Sequence, residues 1–304
     1  MLCRDISGAD GFAELSPKAA VLFLMIVNWS VESCKWRYMI NKIEKISFIK
    51  SLEAVFTGIS VSIFTPNRVG EYFGRVFILE KASHIEGILI TILGSMSQLL
   101  ITILTGTIAF LVFIPEYFSH IEVFSGYLYY GMVFIITVLD ILLLILYFNV
   151  SFLSSLREKL LRFRLKKFRK YLNVFSHYHL KELTVVIFLS FLRYMIFSYQ
   201  YYLLLRLFGI SIPLPESMVL ISLIFFIITV FPTFALTELG IRDTAALYFF
   251  GLYFGTMKLM SDDIALGIFA ASTLLWIVNL AIPAVIGTIF VFRLKFFRKI
   301  DTMP

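Results

Sequence analysis

Arg68 and Glu71 stand three residues apart, and Glu238 and Arg242 four apart, in stretches otherwise as apolar as a membrane interior. Residues at these spacings share one face of a helix, so each pair can neutralise itself. A guanidinium can also offer a planar fork to a phosphate. Two readings follow from the residues. Either the pairs hold the chain together locally, or Arg68 and Arg242 face a shared cavity and bind an anionic headgroup. Charge at membrane depth is costly, so it is paired or functional.

Each pair sits in an interrupted apolar segment. The first reads Thr65-Pro66-Asn67-Arg68-Val69-Gly70-Glu71 inside residues 52–79. The second runs from Phe231-Pro232 to Glu238-Leu239-Gly240-Ile241-Arg242-Asp243 inside residues 219–254. Pro66 and Pro232 each remove a donor and end a helix. Gly70 and Gly240 would allow a tight passage, and Asn67 is placed to cap a following helix. Broken helices at depth need protein or a cavity to receive the freed backbone groups. Interruptions in corresponding places of two halves mark a buried polar site between them.

The elements that must position these residues are membrane helices. Of 304 residues, 60% are hydrophobic and the mean hydropathy is +0.90. Apolar runs of membrane-spanning length recur without the alternation of a barrel strand. The fold class expected is all-α: a polytopic helical bundle of about five full spans, near 19–36, 85–114, 123–150, 183–205 and 264–292. The two interrupted segments would be re-entrant helical hairpins in an inverted-repeat arrangement. Residues 1–18 form a short N-terminal segment without a basic leader, 19–299 one integral domain and 300–304 a tail.

Charge sets the orientation. Basic residues concentrate at Lys35, Arg37, Lys42, Lys45 and Lys50, between Arg157 and Lys170, and from Arg293 to Lys299. The positive-inside rule places these on the cytoplasmic side. With Arg75, Lys81 and Lys181, that side holds 20 of the 27 Lys and Arg, provided both interrupted segments enter and return on one face. The first interrupted arm, 52–64, spans about 20 Å as a helix, short of a ~30 Å core. The basic stretch 157–170 reads as an interfacial segment on the anionic leaflet. It joins two spans, so nucleic acid is not expected.

Thr91, Ser95, Gln98, Thr102 and Thr105 line one helical face, a polar seam that points inward. Ser272, Trp276, Asn279 and Pro283 share a face of the last span. Asp140 and Arg193 are isolated charges within spans, and a mutual pair is open to them. Cys34 reads as a small buried residue. No cofactor is expected, the cysteine and histidine spacings suit no metal, and no catalytic motif is present.

Asn28-Trp29, Glu32, Lys35-Trp36-Arg37 and the run T-P-N-R-V-G-E-Y-F-G-R at 65–75 resemble the lysylphosphatidylglycerol synthase transmembrane region, a flippase-like family. The stretch P-x5-E-L-G-I-R-D at 232–243 is similar to its second motif. The resemblance spans about 19–299 and implies a bacterial inner-membrane protein with a lipid-translocating fold. It also implies that the Arg68/Glu71 and Glu238/Arg242 pairs line a path for a phospholipid or polyprenyl-phosphate headgroup, and Asn67, Arg75 and Gln98 are further candidate binding residues there. No aminoacyl-transferase domain follows in this sequence, so lysyl transfer is not expected of it. A separate synthase or glycosyltransferase would be the partner. The rival readings are a membrane-embedded enzyme on lipid-linked substrates and a non-transporting scaffold.

Overall fold

The computed structural model describes residues 17–118, 126–149, 173–231 and 234–293, and among these the regular structure is helical with no strand. Helix α1 covers Pro17–Ile40, α2 Phe48–Ser62, α3 Gly70–Val76, α4 His84–Phe118 and α5 Gly126–Phe148. Helix α6 covers Leu180–Leu207, α7 Leu214–Val230, α8 Ala235–Thr256, α9 Asp262–Trp276 and α10 Ile282–Arg293. A 3-10 turn over Pro66–Arg68 precedes α3, and a π turn over Ile277–Ala281 joins α9 to α10. Pro232, the basic stretch 157–170 and both chain ends lie outside the described residues.

Among the described residues, three helices are long and apolar enough to cross a membrane: His84–Phe118, Gly126–Phe148 and Asp262–Phe292. They correspond to three of the expected spans. Helices α1 and α6 are also of spanning length, at 24 and 28 residues, but carry charged and amide groups in their middles. The interrupted segments differ from each other. Helices α2 and α3 have 15 and 7 residues, about 22 and 10 Å. Helices α7 and α8 have 17 and 22, and α8 at about 33 Å matches a ~30 Å core. Helix α7, the leading arm of the second segment, is about 26 Å long and so also falls short of that core.

Helices α1 and α6 run antiparallel along their length. Successive partners are the Val21 carbonyl with Gln200, Asn28 with Arg193, Lys35 with Ser190, and Lys42 with Glu182. Helix α4 lies against α7, and α10 against α2. Helix α5 packs on α4 alone among the principal neighbours and leaves most of its surface exposed.

Two close approaches decide the first interrupted segment. A Cβ on Gly74 would stand 2.7 Å from the Gly58 Cα, so α2 and α3 touch backbone to backbone. Small residues allow this packing between membrane helices. On the other side of α2, a Cβ on Gly287 would collide with the Phe56 carbonyl and the Ser60 hydroxyl. Ser60 there donates 2.6 Å to the Ala284 carbonyl.

Outside the bilayer-crossing lengths, Glu44 pins the α3–α4 connection. It accepts from the backbone N–H of Glu80, Lys81 and Ala82 at 2.8–3.1 Å. Burial alone would raise the Glu44 carboxyl, but the three N–H donors and Lys50 outweigh it and hold it below the ordinary carboxylate range. Cys34 is exposed, not buried. Its neighbours Ser33 and Lys35 take the inward face of α1.

Replacing Gly287 with Val should lower stability by about 1–3 kcal/mol through overpacking, seen as a reduced unfolding temperature in detergent. Gly251→Val, with nothing within 4 Å of the added carbon, should change it little. Glu44, depressed in the folded state, stabilises the connection above the unfolded carboxylate pKa, and this is lost as pH falls through the lower folded value. Amide exchange at Lys81 and Ala82, corrected for the intrinsic rate, should therefore gain protection as pH rises from strongly acid and lose it at neutral pH in Glu44→Ala.

Candidate functional site

The two interruptions meet. Arg68 Nη2 donates to Glu238 Oε2 at 2.6 Å, and the other Glu238 oxygen accepts from Arg242 one turn along α8. The expected local pairing of Arg68 with Glu71 does not form. Glu71 instead bonds Arg75, its neighbour at i+4 on α3. The reason lies in the backbone. Asn67 and Arg68 both adopt left-handed conformations, φ 50 and 54°, which cost roughly 1–2 kcal/mol each for residues with a Cβ. This turn leaves Arg68 outside α3, the helix that carries Glu71, and across from the second segment. Asn67 is accordingly not a helix cap. Thr65 closes the turn, accepting from the Gly70 N–H at 2.8 Å and donating to the Ser62 carbonyl. A non-glycine pair held in this region is a feature found at functional sites.

Gly70 packs tightly, since a Cβ there would come 2.6 Å from the Val61 carbonyl. Gly240 does not make a tight passage. It lies within α8 with open space where a side chain would be.

The junction borders a cavity of about 510 Å³. Its charged lining is Arg68, Arg193, Glu238 and Arg242. Its neutral polar lining includes Asn28, Asn67, Gln98 and Asn279, and Trp29, Tyr72, Phe231 and Trp276 supply aromatic walls. Of the α4 seam, Ser95, Gln98 and Thr102 reach this cavity. Thr91 is buried behind it and accepts from Trp36, while Thr105 returns its hydroxyl to carbonyls of its own helix. On the last span, Trp276 and Asn279 line the cavity; Ser272 is buried beside α8 instead, and the intervening π turn breaks the regular face.

Behind the cavity wall lies a second charge cluster that centres on Glu32. This carboxylate, 3% exposed, meets Lys35 at 2.9 Å, Arg75 at 2.8 Å and Arg193 at 3.0 Å. Lys35 and Arg75 are therefore buried in ion pairs and are not cytoplasmic loop charges. Arg75 and Glu71 stand behind the lining. Arg193 reaches Glu32 and not Asp140, which accepts from Thr107 at 2.8 Å. Arg193 also lies 5.0 Å over the Trp29 ring and donates to Asn28. From there amides continue: Asn28 to Asn279, Asn279 to Gln200, Gln200 to the Val21 carbonyl. Asn28 is the twelfth of 24 residues in α1, and Arg193 the fourteenth of 28 in α6. The polar centre thus coincides with the midpoints of the antiparallel pair.

Sequence reasoning passed over Glu32 and Asn28 as site residues. The signal was present: a Glu and a Lys three apart in an apolar run. The basic residues that follow made Lys35 read as the end of the span.

Glu32→Gln leaves Lys35 and Arg75 buried with diminished compensation, and loss of one partner of a buried pair costs about 3–5 kcal/mol. Denaturant titration in detergent should show that loss. Glu182→Gln, at the more exposed Lys42 pair, should cost about 0–1 kcal/mol.

Comparison with known families matches residues 12–261 to the model described as the lysylphosphatidylglycerol synthase TM region. Both interrupted segments fall inside it. It ends at the start of α9, short of the 299 that the motif resemblance suggested. Neither the curated proteins nor the solved structures compared with the chain gave a match. Apolar helices of spanning length and a family model covering most of the sequence agree on a membrane location, and the chain belongs to the lysylphosphatidylglycerol synthase transmembrane-region family.

Proposed function

We propose that this chain is a flippase that carries a phosphate-bearing lipid headgroup across the bilayer through the cavity between its two halves. The observation that carries the reading is the Arg68–Glu238 contact of 2.6 Å on the wall of a 510 Å³ cavity. Charges from two distant interruptions are brought together in a sheltered polar space, which is the arrangement of a midplane substrate site.

The antiparallel α1–α6 pair and the reciprocal packing of α4 on α7 and α10 on α2 support an inverted repeat. In this reading both interrupted segments are re-entrant and enter from opposite faces. The headgroup passes through the cavity while its acyl chains stay in the bilayer. Arg68 and Arg242 bind phosphate, and Glu238 holds the two guanidiniums in place when the site is empty. One half rocking against the other opens the site to each face in turn, and the Arg68–Glu238 contact is the latch that must yield.

The same reading gives the setting. The chain sits in a bacterial inner membrane, with the basic stretch 157–170 and the C-terminus cytoplasmic and that stretch resting on anionic lipid. It performs no covalent chemistry and needs no cofactor, and a separate synthase or glycosyltransferase supplies its lipid.

Headgroup accessibility of labelled phospholipid in proteoliposomes tests this. A charge-assisted hydrogen bond is worth about 1.5–3 kcal/mol, and 1.4 kcal/mol is tenfold. Arg68→Ala and Arg242→Ala should each slow translocation about tenfold or more, while Lys50→Ala leaves it unchanged. Folded arginine variants that translocate at the original rate would contradict the proposal.

A further inference from the structure

One buried carboxyl has no cation. Among the described residues three carboxyls are buried: Glu32, Glu238 and Asp243, at 3, 6 and 5% exposed. Glu32 meets three cations and Glu238 meets two. Asp243 closes the second motif and is the ninth of 22 residues in α8. It forms no ion pair. Arg242 is its one charged neighbour, and that guanidinium gives its Nη2 to Glu238.

Neutral hydroxyls surround Asp243 instead. Thr273 of α9 donates to Oδ2 at 3.2 Å. Ser272 faces both the Asp243 carboxyl and the Tyr201 hydroxyl of α6. Asp243 Oδ1, Ser272 Oγ and Tyr201 Oη are all buried without a closed hydrogen bond. The titratable or charged groups that face Asp243 are thus Tyr201 and Arg242, and α7 contributes none. An ionised carboxyl here would be a buried charge with no cation in contact, the cost that Glu32 and Glu238 avoid. A carboxylic acid carries no such charge and has a proton to donate.

The occupant that fits is a proton. No water-sized space opens onto the three oxygens, so a metal ion with its cage of ligands has no room, whereas a proton needs none. The Ser272 and Tyr201 hydroxyls are rotors that accept from the acid and donate to the carboxylate. The site therefore holds or releases a proton without moving a side chain.

Resting on the lipid reading above, we infer that Asp243 is a proton-binding site whose proton is coupled to headgroup passage. With the proton bound, Arg242 stays with Glu238 and the junction to Arg68 stays closed. Release of the proton to water leaves a carboxylate one residue from Arg242, whose Nε has no acceptor. The new charge competes with Glu238 for that guanidinium and loosens the latch. Rebinding of a proton from the opposite face restores it. One proton crosses per cycle, and only an O–H bond is broken and remade.

The proton site is tested without transport. Infrared difference spectra of the full chain in lipid nanodiscs, taken across an alkaline pH step, should lose the carbonyl stretch of a protonated carboxyl. The band should be absent from Asp243→Asn and present in Glu238→Gln. In detergent, the unfolded chain gives up the proton that the folded chain holds, so stability falls as pH rises. The unfolding constant should rise with pH more steeply than that of Asp243→Asn, by up to about tenfold per pH unit for one proton. At neutral pH the two should unfold at the same denaturant concentration, because the amide replaces a neutral acid. A missing band or parallel pH slopes would overturn the proton site. So would stabilisation by sodium ion that Asp243→Asn abolishes, which would make it a metal site. Coupling is read from labelled phosphatidylglycerol in proteoliposomes. An imposed pH gradient should change the initial rate severalfold in the original chain and leave Asp243→Asn unaffected. A variant that keeps the gradient response overturns the coupling. A chain with the band and the pH slope that moves no lipid refutes the flippase reading alone.

Discussion

A charge in a low-dielectric interior must have a partner, and that constraint organises this bundle. Two carboxylates, Glu32 and Glu238, collect five cations between them: Lys35, Arg75 and Arg193 on the first, Arg68 and Arg242 on the second. Every one of these contacts except Lys35–Glu32 and Arg242–Glu238 joins different elements. Glu32 ties α1 to α3 and α6; Glu238 ties the first interruption to α8. In a membrane there is little hydrophobic drive to press helices together. The ion pairs and close glycine contacts supply specificity that apolar surface cannot. Helix α5, whose single Asp140 is answered only by a threonine, illustrates the converse. It has one principal neighbour and remains largely exposed.

The two clusters differ in depth of burial. Glu32 and Arg75 are sealed, 5 and 3% exposed in their side chains. Arg68 is 36% exposed and opens to the cavity. A sealed cluster fixes how α1, α3 and α6 sit. An open one can exchange its protein partner for a ligand. The left-handed backbone at Asn67 and Arg68 fits this division, because local strain is held where the side chain must reach out of its own segment.

Much of this was legible in the sequence because membrane chemistry makes polar residues conspicuous. Pro66 with Arg68 and Pro232 with Glu238 announced the interruptions, and the α4 seam announced Gln98. Helical character followed from apolar run length. Partners were harder to read. Arg68 has Glu71 three residues away, so a local pair satisfied the spacing, and nothing in the residue order revealed a left-handed turn at two non-glycine positions. Arg193 looked isolated because Glu32 lies in another helix. Gly240 resembled Gly70 in its motif, yet only Gly70 has a backbone pressed against it. Similar residue order in the two interruptions did not dictate similar packing.

The central claim is that Arg68 and Glu238 interact directly across the two interruptions. A double-mutant cycle of Arg68→Ala and Glu238→Gln, read by denaturant unfolding in detergent, measures that interaction apart from any transport. Residues in one ion-pair network couple by about 0.5–3 kcal/mol, and the account predicts a favourable coupling in that range. Strictly additive losses from the two substitutions would mean that the segments do not meet through this pair, and would contradict it.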